Sequence, residues 1–406
     1  MNVIDRRNNS TSPVRKTELL VGGSVFVLLA ASCFVDSEMI EDGALLGAFA
    51  IAAVSFFIGA YGKSLSSKAV GRFLICMVVL AFVQLVDCFA AWELSAIRYV
   101  AFTLAIAVFV VAFCEGFLRL GSDAAMVLSC MALGSCVFKS FAGISPLYHD
   151  NTTSGIMAFV YMVGVFAFLA QRHNAGKRWL ALDWRLVFVI TSSIFLCIGL
   201  ELSKARTALL TCLIVCVMFL VLRYVVRVRG KALQVSYFLI VLLLFAAVIL
   251  YANIRQFDWY DDLNQYSQLL SGKNIDSSRA GIWRQGFSAI EDNLLFGAGA
   301  DMLPTDQYEG RSYHSSYVQV LVQNGLMGLA LLMGALYFIW SVLAKHADDP
   351  AVCFGIAVFV GILIYNCFEC TLLSNKVALG LIQWFALALA CQRALALREA
   401  TTEDCR

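Results

Sequence analysis

The stretch Ala232-Leu-Gln-Val-Ser-Tyr-Phe-Leu-Ile-Val-Leu-Leu-Leu-Phe-Ala-Ala-Val-Ile-Leu-Tyr251 contains no charged side chain. A helix rises 1.5 Å per residue, so about 20 apolar residues cross the hydrocarbon layer of a bilayer. Segments of the same kind extend outward on both sides: 18–35, 43–61, 71–91, 96–114, 124–142, 154–171, 184–201 and 206–224 before it, and 315–343, 351–370 and 376–397 after it. Twelve spans are expected. Their lengths suit helices, not the roughly 10-residue strands of an outer-membrane barrel. The fold class is therefore an all-α polytopic membrane protein.

Composition agrees. Of 406 residues, 61% are hydrophobic and 14% charged, against about half and a quarter in soluble domains. That excludes a soluble enzyme, a disordered chain and a nucleic-acid binder. A net charge of +2 attracts no polyanion in bulk. Nearly all of the 14 cysteines lie inside apolar blocks, where they act as small hydrophobes, and Cys367-Phe-Glu-Cys370 reads as two helix positions, not a redox pair. Pro13, Pro146, Pro304 and Pro350 all fall between blocks, so the spans should be unbroken helices. The four histidines join no Cys/His/Asp cluster, and neither a metal nor a cofactor is expected. Asp258, Asp261 and Asp262, set among aromatics at helical spacing, read as one face of an interfacial helix.

Lysine and arginine set the orientation. With twelve spans, the N-terminal tail (Arg6, Arg7, Arg15, Lys16), the alternate loops and the C-terminal tail carry 20 of the 30 basic residues on one side. Both termini are thus expected in the cytoplasm. The chain divides into a first bundle, 1–251, an outer loop, 252–314, and a second bundle with its tail, 315–406. That outer loop holds Arg255, Lys273, Arg279, Arg284 and Arg311, against the orientation bias, so something other than topology placed them. A long loop with aromatics and helical patterning reads as ordered and functional.

Two arginines stand where helix physics disfavours them. Ser277 and Ser278 are good caps for a helix beginning at Arg279, and Arg206 opens the span after the tight connection Ser203-Lys-Ala-Arg-Thr207. A cation at a helix start opposes the macrodipole. Such an arginine either snorkels toward lipid headgroups or meets an anion held by the guanidinium and the free N–H groups. His314 marks the junction of loop and span ten, on a helix face with Tyr317, Val318 and Leu321 by spacing. It is either an interfacial histidine bonded to a carbonyl or a neutral imidazole available for proton transfer. Two arginines and a histidine at the membrane–water boundary suit a lipid-linked diphosphate: arginines stabilise the leaving group without metal, and an incoming hydroxyl needs its proton accepted.

Ser278-Arg-Ala-Gly-Ile-Trp283, Phe296-Gly-Ala-Gly299 and His314-Ser-Ser-Tyr-Val-Gln319 with Gly325 and Gly328 together resemble the signature of the O-antigen ligase/polymerase family, and Ser203-Lys-Ala-Arg-Thr-Ala-Leu209 resembles its upstream arginine motif. Ser315 departs from the Asn that many members carry after the histidine. The resemblance implies a bacterial inner-membrane glycosyltransferase, metal-independent, with a large periplasmic loop. Its donor is a glycan on undecaprenyl diphosphate, and the acceptor in ligases is lipid A–core. It implies that Arg206 and Arg279 bind the diphosphate and His314 serves the acceptor hydroxyl. Lys204, Arg284, Arg311, Trp283, Tyr317 and Gln319, within or beside the motifs, are expected to help bind substrate. Length and the single large loop favour ligase over polymerase. A non-catalytic transporter of lipid-linked glycans is the reading from another class, but carriers place acids near the bilayer midplane, and Asp87, Glu115, Glu201 and Glu369 fall near span ends. The topology predicts that Lys273→Cys, in a cysteine-free background, reacts with an impermeant maleimide added to the periplasmic side of spheroplasts. Reaction only after the inner membrane is breached overturns the orientation.

Overall fold

A computed structural model describes residues 21–29, 38–61, 65, 67–92, 96–142, 151–175, 183–225, 230–272, 274–276, 278–299, 301–305, 308, 312–373 and 376–404. Among these there is no strand. The helices are α1 (Glu38–Ala60), α2 (Lys68–Ala91), α3 (Ile97–Cys114), α4 (Ser122–Phe141), α5 (Asn151–Asn174), α6 (Trp184–Ser203), α7 (Arg206–Leu220), α8 (Lys231–Ala252), α9 (Tyr260–Ser271), α10 (Arg279–Ala289), α11 (Ser316–Leu343), α12 (Pro350–Phe368) and α13 (Val377–Asp404). Eleven of the described helices are long and apolar enough to cross a membrane, and they coincide with the second to twelfth expected spans. The protein is a multi-pass membrane protein. Of the first expected span, 18–35, residues 21–29 are helical and the rest lie outside the described residues.

Burial sorts these helices into a centre and a rim. α12 is almost wholly buried, packed against α5, α7, α8, α11 and α13. It begins with Pro350 behind Asp349, whose carboxylate accepts the N–H groups of Ala351 and Val352 at 3.0 and 3.1 Å. This start is pre-organised: proline needs no partner there, and the acid faces the positive end of the dipole. α1, α6, α7 and α8 leave broad apolar faces exposed, as lipid-facing helices do. α9 carries Leu263, Tyr266 and Leu269 exposed at three-residue spacing, in keeping with an amphipathic helix at a membrane surface.

The expectation of unbroken spans fails at α11, and the cause is glycine, not proline. Gly325 has φ 60° and ψ −164°, which interrupts the helix. In a bilayer the freed backbone groups need partners. Residues 294–298 supply them: the N–H groups of Leu326 and Met327 donate to the carbonyls of Leu294 and Leu295 at 2.9 and 3.1 Å, and Ala298 N–H donates to Val322 O at 2.7 Å. The two strands of backbone approach so closely that a Cβ at Gly325 would stand 2.3 Å from Leu295 O, and one at Gly297 would stand 2.6 Å from Gly325 N. The motif glycines Gly297 and Gly325 are thus two halves of one contact.

Gly325→Ala should lower unfolding free energy by at least about 1–3 kcal/mol from the strained backbone alone, before the clash is counted. Gly334→Ala in the same helix is the control, because its new methyl meets only Cys76 Sγ at an ordinary 3.5 Å. Thermal melting in detergent should separate the two variants; equal melting refutes the contact as a stabilising one.

Candidate active site

Arg206 and Arg279 each follow a backbone turn that ordinary residues avoid, and His314 itself occupies one. Lys204 (φ 51°), Ser278 (φ 68°) and His314 (φ 50°) are left-handed non-glycine residues. Such positions cost of order 1–3 kcal/mol each and persist only where the surroundings impose them. Lys204 reverses the chain between α6 and α7, with its N–H donated to Leu200 O. Arg206 then opens α7 and reaches the segment between α8 and α10: Nη1 donates to Ser267 Oγ on α9 at 3.0 Å and Nη2 to Asn274 O at 3.3 Å. Asn274 and Ile275 are held in turn by Gln268 and Asn264 of α9, at 2.6 and 2.9 Å.

Arg279 opens α10 as expected, but the expected serine cap is absent from Ser278, which makes no side-chain cap bond. A cap residue needs extended backbone to aim its oxygen at the second or third N–H, and left-handed Ser278 lacks it; Ser277 lies outside the described residues. Instead Arg279 N–H donates to the carbonyl of Asp276 at 2.8 Å. Asp276, wholly buried, has its carboxylate bound by Arg255 Nε at 2.6 Å.

The Arg279 side chain turns inward. Its Nη2 donates to Glu369 Oε1 at 3.0 Å, and the two side chains are only 13% and 15% exposed. Glu369 lies in the turn between α12 and α13, and the same oxygen accepts from Asn151 Nδ2 at 3.4 Å. Burial pushes the Glu369 carboxyl up from its ordinary value, against the downward pull of Arg279 and Asn151. Arg206 and Arg279 stand within electrostatic range of each other, and the Tyr251 phenol is in range of both. Tyr251 donates to Ile275 O at 2.9 Å and packs its ring against Trp283 and Phe368.

His314 is not on the α11 face that its spacing suggested. It precedes the helix, and Ser315 is the cap, accepting from Val318 N–H. The chain is tied on both sides of the histidine. Trp283 Nε1 donates to Tyr313 O at 2.7 Å; Ser316 N and Oγ donate to Glu369 O at 3.2 and 3.3 Å. Below lies a buried polar network: Ser316 Oγ donates to Asn366 Oδ1 at 2.7 Å, Asn366 Nδ2 to Gln383 Oε1 at 2.9 Å, and Thr371 Oγ1 to Asn366 Oδ1 at 2.9 Å.

Three residues expected to bind substrate are placed as supports instead. Trp283 is fully buried and its indole N–H is spent on Tyr313. Tyr317, 3% exposed, donates to Leu363 O, and Gln319, 2% exposed, accepts from the Cys370 thiol. None has surface to offer a sugar. Arg284 is exposed on α10, Lys204 is half exposed and pairs with Glu201, and Arg311 lies outside the described residues. Glu369 and Tyr251 were not singled out as site residues from sequence. The signal for Glu369 was there, an acid closing an otherwise apolar run, but its partner was not.

Comparison with known proteins adds the family. The family model described as O-antigen ligase matches residues 191–333, a stretch that contains Arg206, Arg279 and His314 and stops short of Glu369. No curated protein is matched by the chain. Residues 191–333, and with them Arg206, Arg279 and His314, are thus similar to the O-antigen ligase family.

Proposed function

We propose that this protein transfers O-antigen polysaccharide from undecaprenyl diphosphate to a sugar hydroxyl of lipid A–core. In this reading 1–251 and 315–406 form the membrane bundle of a bacterial inner-membrane protein. Both termini are cytoplasmic, and 252–314 faces the periplasm. The observation that carries the reading is the approach of Arg206 and Arg279, from helices far apart in sequence, on the same side of the fold as His314. Two neighbouring guanidinium groups repel each other, and Glu369 offsets only one of the two charges, so added negative charge beside them is favoured. A diphosphate supplies that charge, and planar forks bind it bidentately.

The chemistry follows. The acceptor oxygen attacks the anomeric carbon while the bond from that carbon to the diphosphate oxygen breaks, with inversion. Arg206 and Arg279 take up the charge that develops on the departing diphosphate. His314 accepts the hydroxyl proton. The lipid tail stays against the apolar faces of the bundle and keeps the headgroup at the interface.

Arg206→Lys and Arg279→Lys should each lower transfer roughly ten- to a hundredfold, because a point charge does not reproduce the fork and a charge-assisted contact is worth about 1.5–3 kcal/mol. Near-normal ligation by both lysine variants refutes a shared phosphate clamp.

His314→Ala should lose roughly 10²–10⁴ in single-turnover rate with little change in donor affinity. The assay uses purified protein, lipid-linked polymer and lipid A–core. Weakened binding with intact transfer removes the proton-acceptor role. Elongation of lipid-linked repeat units in place of joining to the core would replace the ligase reading with the polymerase one.

A further inference from the structure

Glu369 lies outside the family-matched stretch yet touches both halves of the site, by two different parts of the residue. Its side chain accepts from Arg279 at 3.0 Å. Its backbone carbonyl accepts from Ser316 N and Oγ at 3.2 and 3.3 Å, two positions past His314. Its own N–H donates to Tyr365 O at 3.0 Å, so the turn is locked to the last turn of α12. On the other side of His314, Trp283, one helical turn along α10 from Arg279, donates to Tyr313 O at 2.7 Å. Arg279, Trp283, Tyr313, Ser316 and Glu369 therefore make a closed circuit of contacts, completed through the backbone of His314 and Ser315.

We infer that Glu369 is a positioning residue: its carboxylate holds the Arg279 guanidinium at a fixed spacing from His314, so that leaving group and acceptor hydroxyl are presented together. The inference rests on the roles given above to Arg279 and His314. An untethered arginine samples many rotamers, whereas a pair this deeply buried holds one arrangement. A guanidinium has five N–H donors, and Glu369 engages one of them, on Nη2; the carboxylate orients the fork without occupying all of it. Misplacement of a reacting group by about 1 Å costs of order a hundredfold in rate, so the effect of losing the tether belongs to the transfer step and not to binding.

The test uses full-length protein in phosphatidylglycerol/phosphatidylethanolamine nanodiscs. Glu369→Gln keeps the size and removes the charge; Glu369→Asp keeps the charge and shortens the reach. Glu369→Gln should slow single-turnover transfer about 10- to 100-fold, with affinity for undecaprenyl diphosphate unchanged or tighter, and Glu369→Asp should recover part of the rate. In an Arg279→Ala background, Glu369→Gln should cost nothing further. A wild-type rate in Glu369→Gln, a full additive loss beside Arg279→Ala, or affinity falling in step with rate overturns the inference. Hydrogen exchange decides it even if the wild-type protein transfers no glycan, an outcome that removes the proposed function instead. Amides of 279–289 and 316–319 should exchange faster in Glu369→Gln while those of 350–360 stay as in wild type. Unchanged exchange at 279–289 refutes the tether.

Discussion

A bilayer offers no water to an unpaired peptide group, and the site end of this protein is organised around that constraint. α11 cannot be broken at Gly325 unless something replaces the missing turn, and residues 294–298 do so with three backbone hydrogen bonds. Residues 294–298 are thereby joined to α11 by main-chain bonding, not merely laid upon it. α10, four residues upstream of this junction, packs on α11 and on α8. The placement of Arg279 and Trp283 follows from where the splice holds the chain.

Within that frame the charges are arranged economically. A partly buried cation is tolerable when an anion or several neutral acceptors surround it. Arg279 has the Glu369 carboxylate, and Arg206 has the hydroxyl of Ser267 and the carbonyl of Asn274. Arg255 neutralises Asp276 below the start of α10.

Much of this was legible in the residues. A run of about 20 apolar side chains is a one-dimensional signal, and the spans from 43 onward stand where hydropathy set them. Arg206 and Arg279 were visible because each contradicts a local rule, a cation at the positive end of a helix. What stayed hidden depends on contacts between distant segments. A glycine inside an apolar run carries no sign of its φ, so the break at Gly325 needed knowledge of the backbone at Leu295 beside it. Trp283, next to an exposed arginine in sequence, looks like a ligand residue until its helix is seen to turn it inward. The helical register of His314 with Tyr317 failed because Ser315, a better cap than histidine, starts the helix one residue later.

The position of Glu369 bears on modularity. Both arginines and the histidine lie within 191–333, so that block looks self-contained and transferable. The carboxylate that pairs with Arg279, the Asn366–Gln383 network under Ser316 and the carbonyl of Leu363 that receives Tyr317 all come from α12, α13 and the turn between them. A graft of 191–333 onto a foreign bundle would carry Arg206, Arg279 and His314 without the groups that hold their segments in register.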